Sequence, residues 1–275
     1  MNGFATLRSY WSGNAGYGIN FITRDTTLLR GGPTVRGDFA HSAWASFNSD
    51  ARRRVYGSWG GSFWHQPASD SFNVDAFANA TLQARSNLGV TLELSGQRRT
   101  NDLQYVDQLA DAGGDLHYVL ARIEQDTLGL TLRLNYTVSP TLSLQVYAQP
   151  YVSVGTYSGF KESAFPMARR YQDRFRPYAP GELREVDGNV EVDANGDGLA
   201  DFAFEQPDFS FRQVRSNVVL RWEYLPGSTL FAVWSHGRTN ETSANRLMPG
   251  HDLRELMGAD GEHVFLLKIS YWIGT

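Results

Sequence analysis

The sequence contains no cysteine, only two lysines and no long apolar run. Without cysteine there is no disulfide framework and no thiolate zinc site, and the absence fits any redox compartment. Without about eighteen consecutive apolar residues there is no transmembrane helix. The mean hydropathy of -0.37 does not exclude a transmembrane β-barrel, because a polar lumen-facing half dilutes the average. Lys161 and Lys268 are the only lysines, and arginine supplies the remaining basic charge. The arginine fork suits paired charge ladders inside a barrel, although a codon bias toward arginine gives the same count. A net charge of -4 lacks the electrostatic footprint of nucleic-acid binding, so no nucleic-acid partner is expected.

Catalytic signatures are also missing. The six histidines are scattered, with no His-Glu-x-x-His spacing, and no Gly-x-Ser-x-Gly elbow occurs. The run His236-Gly237-Arg238-Thr239-Asn240 is not the His-Ser pair that barrel phospholipases need. No catalytic residue is expected, and an outer-membrane hydrolase stands only as an alternative. Met1-Asn2-Gly3-Phe4-Ala5 has neither the charged nor the apolar region of a secretory signal, which suggests a processed chain or a fragment.

What the sequence does have is alternation. From Thr127 to Val154, Leu128, Leu130, Leu132, Leu134 and Tyr136 point one way while Gly129, Thr131, Arg133 and Asn135 point the other. After Ser139-Pro140-Thr141 the same two faces return, with Leu142, Leu144, Val146, Ala148 and Val152 against Ser143, Gln145, Tyr147, Gln149 and Tyr151. The stripe from Leu128 to Tyr136 is about 27 Å long, or about 20 Å along the normal of a sheet tilted by about 40°. That is close to the height of an outer-membrane lipid band. A half-exposed soluble sheet gives the same pattern with its apolar face turned inward.

The connections decide between them. Turn signals at Gly13-Asn14-Ala15-Gly16, Ser49-Asp50, Ser86-Asn87, Ser139-Pro140 and Pro226-Gly227 are tight, and they fall at every second junction. The junctions at Asp25–Gly37, Thr100–Asp115, Ser158–Asp208 and Arg238–Gly261 are long, with Pro67 as the exception. Short turns at one rim and long loops at the other are what outer-membrane barrels show. The expected fold is therefore all-β: an antiparallel up-and-down transmembrane β-barrel of about 11–12 strands, with short periplasmic turns and long extracellular loops. It forms one domain over residues 1–275, with a long extracellular loop at 158–208 and one helical turn at Asp252–Met257, capped by Gly258. The last strand, His263–Ile273, ends in Tyr271-Trp272-Ile273, the kind of aromatic end that barrel-assembly machinery recognises. An odd strand number does not close an antiparallel ring, so further strands upstream are expected, in a longer protein.

On this reading Glu93, Arg99, Arg133, Arg215, Arg221, Glu223 and Lys268 line the lumen, either as a selective surface or as ion-pair ladders that hold register. In the long loop, Asp193, Asn195, Asp197 and Asp201, with Gly196 between them, match the start of a calcium loop, but Phe204 stands where a bidentate Glu belongs. Calcium is thus the one candidate cofactor, and an acidic surface turn is the alternative. Arg169, Arg170, Arg174 and Arg176 alternate with Tyr171, Phe175 and Tyr178. They fit lipopolysaccharide, a sugar acid or a pore constriction, or else pairing with the acidic half of the same loop, Glu182 to Asp201.

Four segments, Leu29–Gly37, Leu144–Glu162, Ser216–Trp234 and Phe265–Trp272, resemble a family of Gram-negative bacterial proteins, the domain of unknown function 5916. The resemblance implies an N-terminal domain similar to family-nine carbohydrate-binding modules, followed by a C-terminal barrel-like region. It implies an outer-membrane location and a link to oligosaccharide, and it carries no catalytic residues. The expected partners are the lipid bilayer, lipopolysaccharide and barrel-assembly machinery, with oligosaccharide as a further candidate. The expected function is a pore or a membrane anchor for an upstream module, with a soluble all-β carbohydrate-binding domain as the alternative.

Overall fold

A computed structural model describes residues 1–21, 24–242 and 247–273. In chain order the strands are β1 (Asn2–Thr6), β2 (Ser12–Phe21), β3 (Arg24–Asp25), β4 (Val35–Arg36), β5 (Phe39–Asn48), β6 (Val55–Gln66), β7 (Ser71–Arg85), β8 (Leu88–Ala110), β9 (Leu116–Ser139) and β10 (Leu142–Ser163). They continue with β11 (Phe175–Pro177), β12 (Leu183–Val186), β13 (Asn189–Val192), β14 (Phe202–Glu205), β15 (Phe209–Leu225) and β16 (Ser228–Thr242). Helix α1 (Pro249–Gly258) precedes the last strand, β17 (Gly261–Ser270). No helix among the described residues is long and apolar enough to cross a membrane, which leaves open a crossing by strands.

The main sheet has twelve strands in the order β1-β2-β5-β6-β7-β8-β9-β10-β15-β16-β17, with β11 paired beside β10. Its ladders are antiparallel throughout, so the fold is an all-β up-and-down meander. With β11 set aside, eleven of the twelve strands form the meander, and β1 and β17 run in the same direction. Among the described residues no ladder joins them. The sheet has two open edges, because an antiparallel ring needs an even number of strands.

Tight connections gather at one rim: Leu7–Trp11, Ser49–Arg54, Ser86–Asn87, Pro140–Thr141 and Pro226–Gly227. At the other rim lie the long segments between β2 and β5, β10 and β15, and β16 and β17. Pro67–Asp70 and Asp111–Asp115 are short at that rim too. The second of these was expected inside a polar tail from Thr100. Instead β8 and β9 run 23 and 24 residues, and the polar tail pairs along most of its length.

Two expected turns move. Gly13-Asn14-Ala15-Gly16 lies inside β2, and the chain reverses at Leu7–Trp11, where Tyr10 takes φ 64° and its N–H donates to the Leu7 carbonyl at 2.9 Å. The glycines serve another purpose. A Cβ on Gly16 would lie 2.0 Å from the Trp44 ring, and one on Gly13 would lie 3.0 Å from Phe47. Glycine lets the aromatic side chains of the neighbouring strand lie across the backbone. The final strand stops at Ser270, not at Ile273, because its partner β16 begins at Ser228 and the last pair is Thr229 with Ser270. Trp272 instead folds over the Pro226–Gly227 turn, and its N–H donates to Ser228 Oγ at 2.9 Å. The second expected strand ended at Thr23, and Ile22 and Thr23 lie outside the described residues, as do residues 243–246 of the Arg238–Gly261 loop.

Register carries one alternation across the whole meander. Phe63, Val74, Arg98 and Asp126 share a face, as do Trp59, Ala78, Leu94 and Leu130, and Ala80, Leu92, Leu132 and Ala148. Further along, Val146, Val218, Trp234 and Phe265 continue that face. On these strands it is apolar and uncovered: Phe63 is 42% exposed, Leu94 53% and Leu132 36%, although each lies on a strand with neighbours on both sides. The apolar stretch has margins. Toward the long-loop rim it ends at the paired histidines His41 and His65, at the ion pair of Arg98 with Asp126, and at His236 beside His263. Toward the tight-turn rim it ends at Phe47, Trp59, Tyr136 and Trp222.

Buried side chains lie largely elsewhere, around the extensions of β8, β9 and β10 beyond that band. Val119, Ala121 and Phe160 pack against Tyr178, Val190, Val192, Phe202 and Phe204, which seats the small sheet β12-β13-β14 on the long hairpin. A second cluster joins Leu29 and Val35, from the β3-β4 segment, to Leu120 and Phe175. The stretch 158–208 was expected to be irregular. It holds a continued β10, β11 and a three-stranded sheet, because Val190, Val192, Phe202 and Phe204 bury one side of their strands.

Candidate functional site

All of the charged residues assigned to a lumen fall on the face opposite the apolar band. Asn79, Glu93 and Thr131 are in register across β7, β8 and β9. Thr91, Arg133 and Tyr147 form the next row, and Gln149 with Arg215 and Ser143 with Arg221 continue the face. Arg99 lies opposite Asn73, Glu223 opposite Thr229, and Lys268 opposite Phe231. This follows from β-strand geometry, since side chains two apart in sequence share a face.

Among the described residues the expected ion-pair ladders are mostly absent. Arg221 donates to Glu223 at 3.2 Å along one strand. Arg133 lies over the Tyr147 ring at 5.2 Å, and Arg99 donates to Gln104 at 3.4 Å. Among the described residues Glu93, Arg215 and Lys268 have no ion-pair partner. Hydroxyl and amide donors tie the strands together instead: Ser62 donates to the Asp75 carboxylate at 2.5 Å, Asn79 to Ser58 at 2.6 Å, and Thr81 meets Thr91 at 2.9 Å. Gln125 and Thr127 both reach Ser153 at 2.9 Å. The face is thus a hydroxyl and amide lattice with isolated charges, and with Tyr147 and Tyr151 among them. Such a lattice can meet water and the hydroxyls of a polar solute, and its unpaired charges can act on ions.

The long-loop rim carries an ordered cap. Arg174 is fully buried and holds Asp38 with both terminal nitrogens, and it also donates to the carbonyls of Arg36, Ala168 and Arg169. Arg176 bridges Glu162 at 2.8 Å and Glu182 at 2.9 Å. Pairing with Glu182 was one of the expected arrangements. Arg174 was not expected to be an internal clamp, since burial of an arginine is invisible in composition. Lys161 and Tyr171 converge on one oxygen of Asp102, at 2.6 and 2.5 Å. Burial raises the Tyr171 phenol well above its ordinary range, and Asp102 adds to the shift. Burial raises Tyr178 likewise, with Glu162 adding to it.

Around Glu162 the cap predicts a response to acid. Burial pushes the Glu162 carboxyl upward, but hydrogen bonds from His117 at 2.6 Å and from Arg176 outweigh it and hold the group below its ordinary 4.5. The Ala179 N–H, then Arg176, hold Glu182 below 4.5 as well. A lowered carboxylate stabilises the fold fully above its unfolded value and loses that contribution as pH falls through the folded value. The small sheet therefore loosens below about pH 4.5. Hydrogen exchange at pH 7 and pH 3.5 tests this: β12–β14 lose protection at the lower pH while β8 and β9 keep theirs between Leu88 and Tyr136. Equal loss in both regions contradicts it.

The calcium-like loop is closed by its own hydrogen bonds. Asp193 accepts from the N–H groups of Gly196, Asp197 and Gly198 at 2.6, 3.1 and 2.8 Å. Asn195 accepts from the Asp197 N–H at 2.8 Å, and Asp201 accepts from the Ala194 and Asn195 N–H groups at 2.8 and 3.2 Å. Gly196 and Gly198 take φ of +77° and +86°, a region open to glycine, which is why they stand there. Among the described residues no three acidic or histidine side chains converge on a metal position. The carboxylates serve as backbone caps in this arrangement.

With the geometry in hand, comparison with known proteins adds one finding. The family described as Domain of unknown function (DUF5916) matches residues 2–274. The chain belongs to this family. No curated protein and no solved structure matches it. DUF5916 membership extends over the meander and the cap alike, so both are parts of one family unit. The family description names no chemistry.

Proposed function

We propose that this chain is the membrane-embedded β-sheet of an outer-membrane protein, with the apolar band against lipid and the polar face lining a passage for small polar solutes. The band carries the reading: its side chains lie uncovered across central strands, and soluble proteins do not leave an apolar surface of that extent in water. Aromatic and histidine margins on both sides fit the girdles of membrane barrels. Tight turns at one rim and an ordered cap at the other fit periplasmic and outer ends. The open edges β1 and β17 then join through an odd number of further antiparallel strands in the intact protein, in keeping with a barrel that follows an upstream module. Glu93, Arg215 and Lys268, without an ion-pair partner among the described residues, favour a passage over a sealed, ion-paired plug.

The test is conductance of the full-length protein in planar bilayers. Discrete channels whose anion preference falls in an Arg133→Glu, Arg215→Glu variant support the passage. No conductance above background, from protein shown to have inserted, removes it and leaves the anchor role. The soluble carbohydrate-binding alternative predicts a monomer that needs no detergent.

A further inference from the structure

Two β-bulges flank β9 in the cap. On β8, Asp102 and Leu103 stand between the pairs Asn101 with Ile123 and Gln104 with Ala121, so two residues oppose the single Arg122. On β10, Gly159 and Phe160 oppose the single Ala121, with Gly159 at φ +59°. A bulge re-aims the side chains beside it. Asp102 and Lys161, two strands apart, thereby meet across β9, with Lys161 Nζ 2.6 Å from Asp102 Oδ2. The Asp102 N–H donates to Ser71 Oγ at 2.9 Å, and the Tyr171 hydroxyl donates to the same Oδ2 at 2.5 Å.

The pair is sheltered. Lys161 is 8% exposed, it pairs with the fully buried Leu120, and its Nζ lies 5.8 Å from the Phe175 ring centre. Burial lowers the Lys161 ammonium below its ordinary range, against the opposing hydrogen bond and charge of Asp102. Surroundings of low polarity favour a neutral amine and acid over two charges. The choice of lysine is also informative, because this chain has only two. Elsewhere arginine holds the buried carboxylates: Asp38 by Arg174, Glu162 by Arg176 and Asp252 by Arg212. Arginine grips a carboxylate with two bonds but does not lose its proton, whereas a desolvated lysine does and becomes a nucleophile.

We propose that Lys161 and Asp102 condense to an intramolecular isopeptide bond that staples β8 to β10. One proton passes from the Lys161 ammonium to Asp102 Oδ2, which leaves a neutral amine and a carboxylic acid. Nζ then attacks Cγ and forms the C–N bond. The Cγ–Oδ2 bond breaks, and Oδ2 departs as water with that proton and a second one from Nζ. The product is a secondary amide, net charge is unchanged, and nothing is oxidised or reduced. Tyr171 keeps its proton and steadies the departing oxygen by its hydrogen bond. An amine nitrogen in contact with a carboxyl oxygen lies about 3–3.5 Å from the carboxyl carbon, the range from which well-oriented groups react with effective molarities of about 10⁵ M or more. Because Tyr171 arrives only when the segment after β10 folds back, the bond closes after folding. In a chain without cysteine it takes the place of a disulfide across the cap.

The test compares the chain in denaturant, recovered unfolded from inclusion bodies, with the same chain refolded, by intact mass and tryptic digestion. Circular dichroism reads the fold of each sample. The unfolded chain has the mass of its sequence. For refolded wild type we expect a mass lower by one water, and a branched peptide in which 100–122 is joined to 134–169 with no cleavage after Lys161. Lys161→Arg keeps the charge, cannot form the amide, and folds at its sequence mass. Tyr171→Phe closes about a hundredfold more slowly, the scale of a lost proton-handling group. Refolded wild type at its sequence mass, cleaved normally after Lys161, overturns the bond and leaves an ordinary ion pair. Water lost from Lys161→Arg as well, as a succinimide at Asp187-Gly188 would give, also overturns it. The branched peptide decides alone if Lys161→Arg fails to fold. Equal closure in Tyr171→Phe and wild type overturns the part given to the phenol.

Discussion

Leu132→Arg lowers the stability of the vesicle-inserted protein by about 2–4 kcal/mol, the cost of a guanidinium on the lipid side at mid-membrane. Leu132 is the centre of the Leu128–Tyr136 stripe, in register with Leu92 on one side and Ala148 on the other, and it is 36% exposed. Its environment is other apolar side chains and, on the present account, acyl chains, which offer no partner to the charge. Asn135, three residues on and on the opposite face between Gly89 and Gln145, is the matched control. Asn135→Arg shifts stability by about 0.5 kcal/mol or less, as for a surface change away from special features. Denaturant titration of both variants in vesicles reads the difference. Equal costs for the two would mean that neither face meets lipid.

Arg212→Ala costs about 3–5 kcal/mol, because it leaves a buried carboxylate with no countercharge. Arg212 and Asp252 are each 2% exposed, and Asp252 also accepts the Met248 N–H at 2.7 Å, so it caps the helix while it holds the sheet. Loss of the arginine frees α1 from β15. The absence of native cysteine makes this easy to follow: Leu256→Cys introduces a single thiol at a buried position. Maleimide labelling of that thiol is slow in the parent and becomes fast with Arg212→Ala. Replacing Arg212 by Met together with Asp252 by Leu restores slow labelling, since apolar residues of similar volume often replace a buried pair at little cost. Labelling that stays slow in Arg212→Ala would show that α1 is held by its apolar contacts alone.

The strands were legible because alternation with period two is a direct imprint of a sheet that separates two environments. Phe72–Arg85 and Leu128–Tyr136 read cleanly for that reason, and the single long strand from Leu116 followed from the parity of the connections. Glycine misled: Gly13 and Gly16 look like a turn, yet they are smooth ground for Phe47 and Trp44, a cross-strand contact that a linear reading does not see. The small sheet had left a signal in Val190, Val192, Phe202 and Phe204, obscured by the acidic turn between them. Arg212, Asp252 and Glu255 were not legible at all. They are distant in sequence, and only the return of α1 onto β15 brings them together. Alternation put Glu93, Arg99, Arg133, Arg215, Arg221, Glu223 and Lys268 on one face of the sheet, but their pairing was not legible, because partners across strands depend on register and not on composition.

The most direct test of the central claim is refolding with and without detergent micelles, followed by electrophoresis of unheated and boiled samples with circular dichroism alongside. The account predicts β-structure and a heat-dependent mobility shift only when micelles are present, because most of the apolar band has no protein over it. A chain that folds to a monomeric β-protein in plain buffer, with no shift, would contradict the account.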